Sequence, residues 1–221
     1  MLDGSMTREQ AVALIDEQNR YPEVSEDDEV IGNASTDFTL IETGNFLTDA
    51  MREKAGTEIA LFLDNGKDGR NNGKGVSGKI YEGEQTEADI LRIFPDLRRE
   101  EKGELQKVTM TGQKLLDTLE YAIPVDNDSR GWFYYFSGLR MEFAPAAEPG
   151  SRIKKITDAQ GNDIDLNKVY SVAVMDASVP EDAVISCEDT GLSIKDIWTE
   201  KIKILGTISP GGDGRFLAVD P

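Results

Sequence analysis

Gly, Asn and Lys residues around position 70 have a spacing that could bind phosphate. Residues 69–74 read Gly-Arg-Asn-Asn-Gly-Lys, and in a phosphate-binding loop such glycines let backbone amides cradle the phosphates while the lysine reaches them. Here the two glycines are one residue too close together, and Gly75 stands where a Ser or Thr would hold magnesium. The stretch is better interpreted as a turn, because Asn and Gly tolerate left-handed backbone conformations.

Two acidic stretches have the start of a calcium-binding loop without its end. The first begins at Asp64, but Gly66 occupies the second ligand position and Gly75 stands where a bidentate Glu belongs. The second, residues 126–131, fails in the same way because Ser137 occupies the closing position. Both stretches are therefore interpreted as turns.

Histidine is absent from all 221 residues. This excludes Ser-His and Cys-His nucleophile pairs, an imidazole general base and the His ligands of the usual zinc and di-metal sites. The lone cysteine, Cys187, has no partner for a disulfide within the chain, and its apolar run, residues 183–187, predicts a small buried residue. Catalysis by this chain alone would require paired carboxylates, and no pair has a convincing pocket context.

The charge balance excludes further classes of protein. The chain has 42 Asp and Glu residues against 24 Lys and Arg, which gives a net charge of −18. Such a surface repels phosphate backbones and anionic membranes, so neither nucleic-acid binding nor membrane insertion is expected. We interpret the acidity as a solubility feature rather than as a cation site.

Strand-like and helix-like patterns are interspersed without strict alternation, which predicts an α+β fold with a mixed sheet. We expect helices over 7–19, 44–55, 84–93, 115–122 and 193–205, and strands over 30–32, 58–63, 104–110, 133–143, 152–156, 162–166, 169–174 and 215–219. Asn45 or Thr48 is expected to cap the second helix. Segments 152–156 and 162–166 flank a glycine turn and are predicted to form a hairpin.

A dense aromatic run occupies residues 132–136. Alternate members of a strand point to opposite faces, so we favour an interpretation in which these rings pack in the core. The competing hypothesis is that one ring is displayed beside Arg140 for a base or a sugar.

Seven segments of the chain carry, in order, the motifs of one family. They are Glu42 to Arg52, Glu58 to Arg70, Lys107 to Glu120, Ser137 to Arg140, Pro149 to Arg152, Asn167 to Asp176 and Gly206 to Arg215. Together they resemble the C-terminal domain of secreted 5′-nucleotidases and UDP-sugar hydrolases, over about residues 29–220. Each motif alone is weak, but the combination is specific.

The resemblance implies a recognition role without chemistry. In the family, a separate N-terminal metallophosphatase domain holds two metals, and the C-terminal domain closes over it with two aromatic rings around the nucleoside and arginines towards the phosphate. We therefore expect a substrate-recognition domain with no catalytic residue, metal or other cofactor of its own. Its expected partners are a nucleotide or related phosphate ester and a metallophosphatase domain or chain. Base stacking on such rings contributes about 1–3 kcal/mol.

The resemblance assigns substrate binding to Arg70, Phe94, Asp182 and Asn45. Arg70 matches the loop arginine of the family. Phe94 lies in Ile-Phe-Pro-Asp, where the family has Pro-Phe-x-Asn, and Asp182 matches an aspartate although the preceding glycines are missing. Ala177 stands where the second ring belongs, and an alanine cannot stack on a base.

Two interpretations of the altered motifs stay open. In the first, the chain keeps nucleotide recognition and works with a metallophosphatase. In the second, it is a diverged non-catalytic module that kept the fold, lost the nucleotide pocket and serves protein or surface-ligand interaction.

The chain is divided into two parts by its sequence. Residues 1–28 are interpreted as an expression scar, an N-terminal helix and an acidic linker, and residues 29–221 as the domain. The first residues lack an export signal, whereas the family resemblance suggests an exported, periplasmic or cell-surface protein.

Overall fold

The structure is a computed structural model, which describes residues 29–63, 76, 78–94, 103–123, 134–175, 178–211 and 214–220, together with positions 7, 10, 13 and 14. Its strands are β1 (Val30–Ala34), β2 (Ile59–Leu63), β3 (Gly83–Thr86), β4 (Glu104–Thr111), β5 (Tyr134–Ser137), β6 (Leu139–Phe143), β7 (Ile153–Asp158), β8 (Val169–Met175), β9 (Ser186–Ser193), β10 (Thr207–Ile208) and β11 (Phe216–Ala218). The helices are α1 (Leu40–Ala55), α2 (Glu87–Ile93), α3 (Gly112–Ala122) and α4 (Ile194–Leu205). The predicted helix over 7–19 lies mostly outside the described residues.

A five-stranded mixed sheet is the centre of the fold, which confirms the predicted α+β class. Its strand order is β5-β2-β8-β4-β9, with β2 and β8 parallel and the other neighbours antiparallel. All five residues of β2 are buried, as expected for a continuous apolar run in a strand covered on both faces. Two three-stranded sheets, β10-β1-β3 and β11-β6-β7, complete the described strands.

The central sheet separates two hydrophobic clusters. Helices α1, α2 and α4 pack with β1 on one face, where Leu47, Ile90 and Trp198 are buried. Helix α3 and the sheet of β6, β7 and β11 cover the other face, where Leu115 and Met141 are buried. No helix among the described parts of the chain is long and apolar enough to cross a membrane.

The aromatic run is split between these clusters. Tyr135 belongs to the cluster of α1 and α4, whereas Tyr134 and Phe136 belong to the cluster of α3. All three rings are at most 6% exposed. The alternation confirms the core interpretation for these three residues, and Trp132 and Phe133 lie outside the described residues.

Helix α1 begins earlier than predicted. Thr39, not Asn45 or Thr48, is its N-cap, and Thr39 forms a capping box with Glu42. The helical period is visible in the sequence only from Phe46 onward, because the buried positions before it are Thr43, Gly44 and Asn45 rather than large apolar residues. Inside the helix, the Thr48 hydroxyl donates to the carbonyl oxygen of Gly44 at 2.9 Å.

Three further predictions were wrong. Segment 162–166 is not a strand: β7 pairs with β6, and the expected hairpin is reduced to the isolated Thr157–Asp163 bridge and the backbone hydrogen bonds on either side of it. Residues 83–86 form strand β3 before α2 begins. Cys187 is exposed, because β9 is an edge strand whose outer residues have no neighbouring layer among the described elements.

Candidate functional site

Four strand ends meet at one edge of the central sheet, which we call the carboxyl edge. Strand β2 ends there at Leu63 and parallel β8 ends there at Met175, while β5 begins opposite Leu63 at Tyr134 and β4 places Leu105 opposite Met175. Ligands of open sheets commonly bind where parallel strands end. The stretch that carries Arg70 follows β2 at this edge, and the stretch that leads to Asp182 follows β8 there. Asp182 itself contacts Lys114, which follows Thr111 at the opposite end of β4.

Arg70 lies in residues 64–75, outside the described residues. The chain leaves the sheet at Leu63 and is described again at Val76, whose backbone N–H donates to the carbonyl oxygen of Leu63 at 3.0 Å. Both ends of the segment that contains Arg70 are therefore held at the carboxyl edge.

Phe94 follows the last residue of α2 and lies in the core. Its ring is 1% exposed and packs edge-to-face against Phe62 and Trp198, with centroid distances of 5.3 and 5.8 Å. A ring that stacks on a base needs an open face. In this arrangement both faces of Phe94 are covered by protein.

Asp182 lies in a short 3-10 turn, Glu181–Ala183, on the α3 side of the sheet. Its side chain is 77% exposed, and its carboxylate accepts a hydrogen bond from Lys114 Nζ at 2.6 Å. This hydrogen bond and the charge of Lys114 lower the pKa of Asp182, and the same contact raises the pKa of Lys114. Asp182 is accessible to a ligand, but its charge is already balanced by a neighbour.

Asn45 is a buried residue of α1, with 5% of its surface exposed. Its carbonyl oxygen lies 3.5 Å from Nη1 of Arg215. The adjacent Gly44 packs directly on the ring of Tyr135. Asn45 therefore belongs to the contact between α1 and the sheet.

Tyr134 positions the segment after β8, a role that the sequence did not indicate. Its hydroxyl donates to the carbonyl oxygen of Ser178 at 2.6 Å, and the Ser178 hydroxyl donates to the carbonyl oxygen of Met175 at 2.6 Å. Burial raises the pKa of Tyr134, so its hydroxyl stays a donor. This contact fixes the start of the segment that leads to Asp182, and only the tertiary structure could identify the partner of the hydroxyl.

The described candidates do not form one cluster. Phe94 and Asn45 lie on the face of α1 and α4, whereas Asp182 lies on the face of α3. Across the described part of the chain, no group of three or more His, Cys, Asp or Glu side chains has the arrangement of a metal site. Asp182 contacts Lys114 in the first turn of α3, after the end of β4 that pairs with Val169, so it lies towards the opposite edge of the sheet.

Comparison with known proteins identifies one family. The family model described as 5′-nucleotidase, C-terminal domain, matches residues 25–182. A comparison with curated protein sequences gives no significant match.

Solved structures share the fold over most of the chain. A 5′-nucleotidase precursor from Thermus thermophilus has a TM-score of 0.72 at 24% identity and covers 87% of this chain and 40% of its own. The NAD nucleotidase of Haemophilus influenzae has a TM-score of 0.66 at 16% identity and covers 96% and 41%. The sulfate thiohydrolase of Thermus thermophilus has a TM-score of 0.63 at 14% identity and covers 87% and 35%. The chain thus spans well under half the length of these three proteins.

Proposed function

Since the chain belongs to the family of 5′-nucleotidase C-terminal domains, we propose that it is a substrate-recognition domain that acts with a metallophosphatase domain or chain. The joint reaction is hydrolysis of a nucleotide or a related phosphate ester. This chain contributes binding and closure over the substrate, and the metallophosphatase contributes the metals and the chemistry.

The observation that carries the proposal is the convergence at the carboxyl edge. The segment of Arg70 follows β2, the segment of Asp182 follows β8, and Phe94 lies in the segment before β4. The registers place these strand ends side by side. Stretches that carry family motifs far apart in sequence thus begin or end at one edge, which supports a shared recognition site there. Asp182 itself lies farther along its stretch, beside Lys114 in the first turn of α3.

The composition supports a role without catalysis. A chain that contains no histidine lacks the imidazole ligands and bases on which most metal-dependent hydrolysis relies. Binding energy from the recognition side accelerates the reaction only when a second part supplies the chemistry, so assembly with a metallophosphatase is expected.

Calorimetric titration of the protein with AMP, adenosine and a UDP-sugar tests recognition. We expect saturable heat with at least one of the three, and weaker binding when Arg70 is changed to Gln, because a guanidinium offers a fixed fork of donors to phosphate. Arg140→Gln is the matched control, since Arg140 is an exposed residue of β6 on the outer small sheet. Absence of heat with all three compounds at millimolar concentration would contradict the proposal.

The role of Asp182 is tested in the same titration. Asp182→Asn removes an exposed carboxylate without disturbing the core, and Glu181→Gln makes the same change of charge at the neighbouring exposed position. A selective effect of Asp182→Asn on affinity supports its place in the site. Equal effects of the two variants would show only a general influence of charge.

The burial of Phe94 favours a second candidate function, a diverged binding module without a nucleotide pocket. With the Phe94 ring in the core and Ala177 at the position of the family's second aromatic ring, no base can be held between two aromatic faces. The neighbouring coding region separates the two candidates, because an adjacent or fused metallophosphatase supports the first and an isolated gene supports the second.

A further inference from the structure

A cleft of about 210 Å³ lies at the edge of the central sheet opposite the carboxyl edge. We call it the amino-edge cleft, because β2 begins there at Ile59 and β8 begins one residue before Tyr170, which also lines it. The rise along β2, four steps of about 3.3 Å, separates this end of the strand from the carboxyl edge by roughly 13 Å. The cleft is therefore distinct from the carboxyl edge.

Arg52, in the last turn of α1, brings a charged fork of donors into this cleft. Its Nε donates to the hydroxyl oxygen of Ser137 at 2.7 Å, and Ser137 in turn donates to the carboxylate of Asp49. This contact fixes the guanidinium. Among the described residues, no hydrogen bond or ion pair joins its terminal amines, Nη1 and Nη2, to another protein group, so a pair of parallel donors faces the cleft.

Two carboxylates also line the cleft, but their neighbours already bind them. Glu58 accepts a hydrogen bond from Lys168 Nζ at 2.6 Å and another from the backbone N–H of Ser171 at 3.0 Å. Asp158 accepts from the side chain and backbone of Asn162 and from the backbone of Gln160, each at 2.9 Å. Within the described part of the chain, the unused donors of the cleft therefore include Nη1 and Nη2 of Arg52, together with the side-chain amide of Gln160.

Gly138 keeps the inner wall of the cleft open. A Cβ atom at this position would lie 2.2 Å from the carbonyl oxygen of Glu58 and 3.3 Å from Cδ of Arg52, and the backbone φ of +85° disfavours other residues there. At the mouth of the cleft, Ala159 is exposed and small. Backbone and small side chains thus leave room beside the guanidinium.

We propose that the amino-edge cleft binds a small oxyanion, a carboxylate or phosphate group, that pairs with Nη1 and Nη2 of Arg52. A planar guanidinium matches both groups through two parallel hydrogen bonds. The volume is below the range of about 300–1,000 Å³ that is usual for drug-sized ligands, so the ligand is a small molecule or one terminal group of a larger one.

Nuclear magnetic resonance of the ¹⁵N-labelled protein tests the proposal. Sodium acetate, sodium phosphate and, as a cation control, tetramethylammonium chloride are each titrated at constant ionic strength. We expect saturable shifts of the Arg52 Nε–H and of the Gly138 and Ala159 amides with acetate or phosphate and none with the cation. Saturation by acetate alone identifies a carboxylate site, and saturation by phosphate alone identifies a phosphoryl site.

Two variants probe the cleft by different routes. Arg52→Lys keeps the charge but removes the fork and should weaken binding about tenfold or more, whereas Arg140→Lys, the same change at an exposed residue, should have no effect. Ala159→Leu should block the mouth without altering the fold, as circular dichroism verifies. Lack of saturation with both anions, saturation with the cation, or unchanged affinity in both Arg52→Lys and Ala159→Leu would overturn the proposal.

Discussion

The two edges of the central sheet use their chemically capable side chains in opposite ways. At the carboxyl edge, Phe94 is enclosed by Phe62 and Trp198. At the amino edge, Arg52 has its Nε bound and presents its terminal amines to a cleft. A family motif predicts a binding residue, whereas the availability of its side chain depends on the contacts around it.

The largest expected effect is a loss of stability in Phe94→Ala, which distinguishes a ring that packs in the core from a ring that binds a ligand. Phe94→Ala should lower the free energy of unfolding by about 3–5 kcal/mol, because it removes a fully buried aromatic side chain and leaves a cavity. Urea unfolding measures the change, with Tyr121→Ala as control, since Tyr121 is 80% exposed. A loss below about 1 kcal/mol together with weaker nucleotide binding would place the ring in the site instead.

The second-largest effect is a loss of stability when the contact between α1 and the central sheet is disturbed. This contact positions Arg52 and Asp49. Gly44→Ala should destabilise the protein by about 1–3 kcal/mol, because the added Cβ would lie 2.1 Å from Cγ of Tyr135. Gly211→Ala is the matched control, since nothing lies within 4 Å of its added Cβ. Equal unfolding midpoints of the two variants in urea would show that α1 can shift away from Tyr135.

The third effect is a loss of stability when the hydrogen-bond network beside the amino-edge cleft loses its charged acceptor. Asp49 accepts from the Ser137 hydroxyl and from Nη2 of Arg215, the latter at 2.6 Å. Asp49→Asn should cost about 1–3 kcal/mol, measured by urea unfolding, because it leaves partly buried donors without a charged acceptor. Asp189→Asn, on exposed β9, should change the unfolding free energy by less than about 0.5 kcal/mol. Similar losses in both variants would contradict a special role of the network.

The smallest effect is a pH dependence of the ion pair between Asp182 and Lys114, beside the first turn of α3. Because Lys114 lowers the pKa of Asp182, the pair favours the folded state above the ordinary carboxyl range, and this contribution is lost as the pH falls through the lowered pKa. Carbon-detected titration of Asp182 should show an acid-shifted midpoint that returns towards the ordinary value of 3.8 in Lys114→Gln. The same change at Lys154, an exposed residue of β7, should leave Asp182 unaffected. An unshifted midpoint in the wild-type protein would show that the ion pair does not persist in solution.

Much of the fold could be predicted from the sequence because local patterns and burial agree there. The apolar run of β2, the alternation of β4 and the period of α3 each match the structure closely. Pairing partners were harder, because the residues of β7 are compatible with either neighbour and only the tertiary arrangement selects β6. Edge strand β9 has mostly exposed residues, so no alternation of apolar and polar residues predicts it from the sequence.

The sequence predicts a site at the level of segments rather than of side chains, and the roles of the named residues stay predictions. Motif order identified the stretches that adjoin the carboxyl edge, but it could not show that Phe94 faces Trp198 or that Asp182 contacts Lys114. The contact between Tyr134 and Ser178 joins residues 44 positions apart and has no local signature. Such partners depend on how strands pack, which spacing alone does not encode.

Mapping AMP-induced amide shifts on the ¹⁵N-labelled protein tests the central claim most directly. A recognition domain of this family should show saturable shifts at the carboxyl edge, at Val76 and Ser178, with smaller changes at Gly138 in the amino-edge cleft. Saturable shifts confined to the amino edge, or none at millimolar AMP, adenosine and UDP-sugar, would contradict nucleotide recognition at the carboxyl edge.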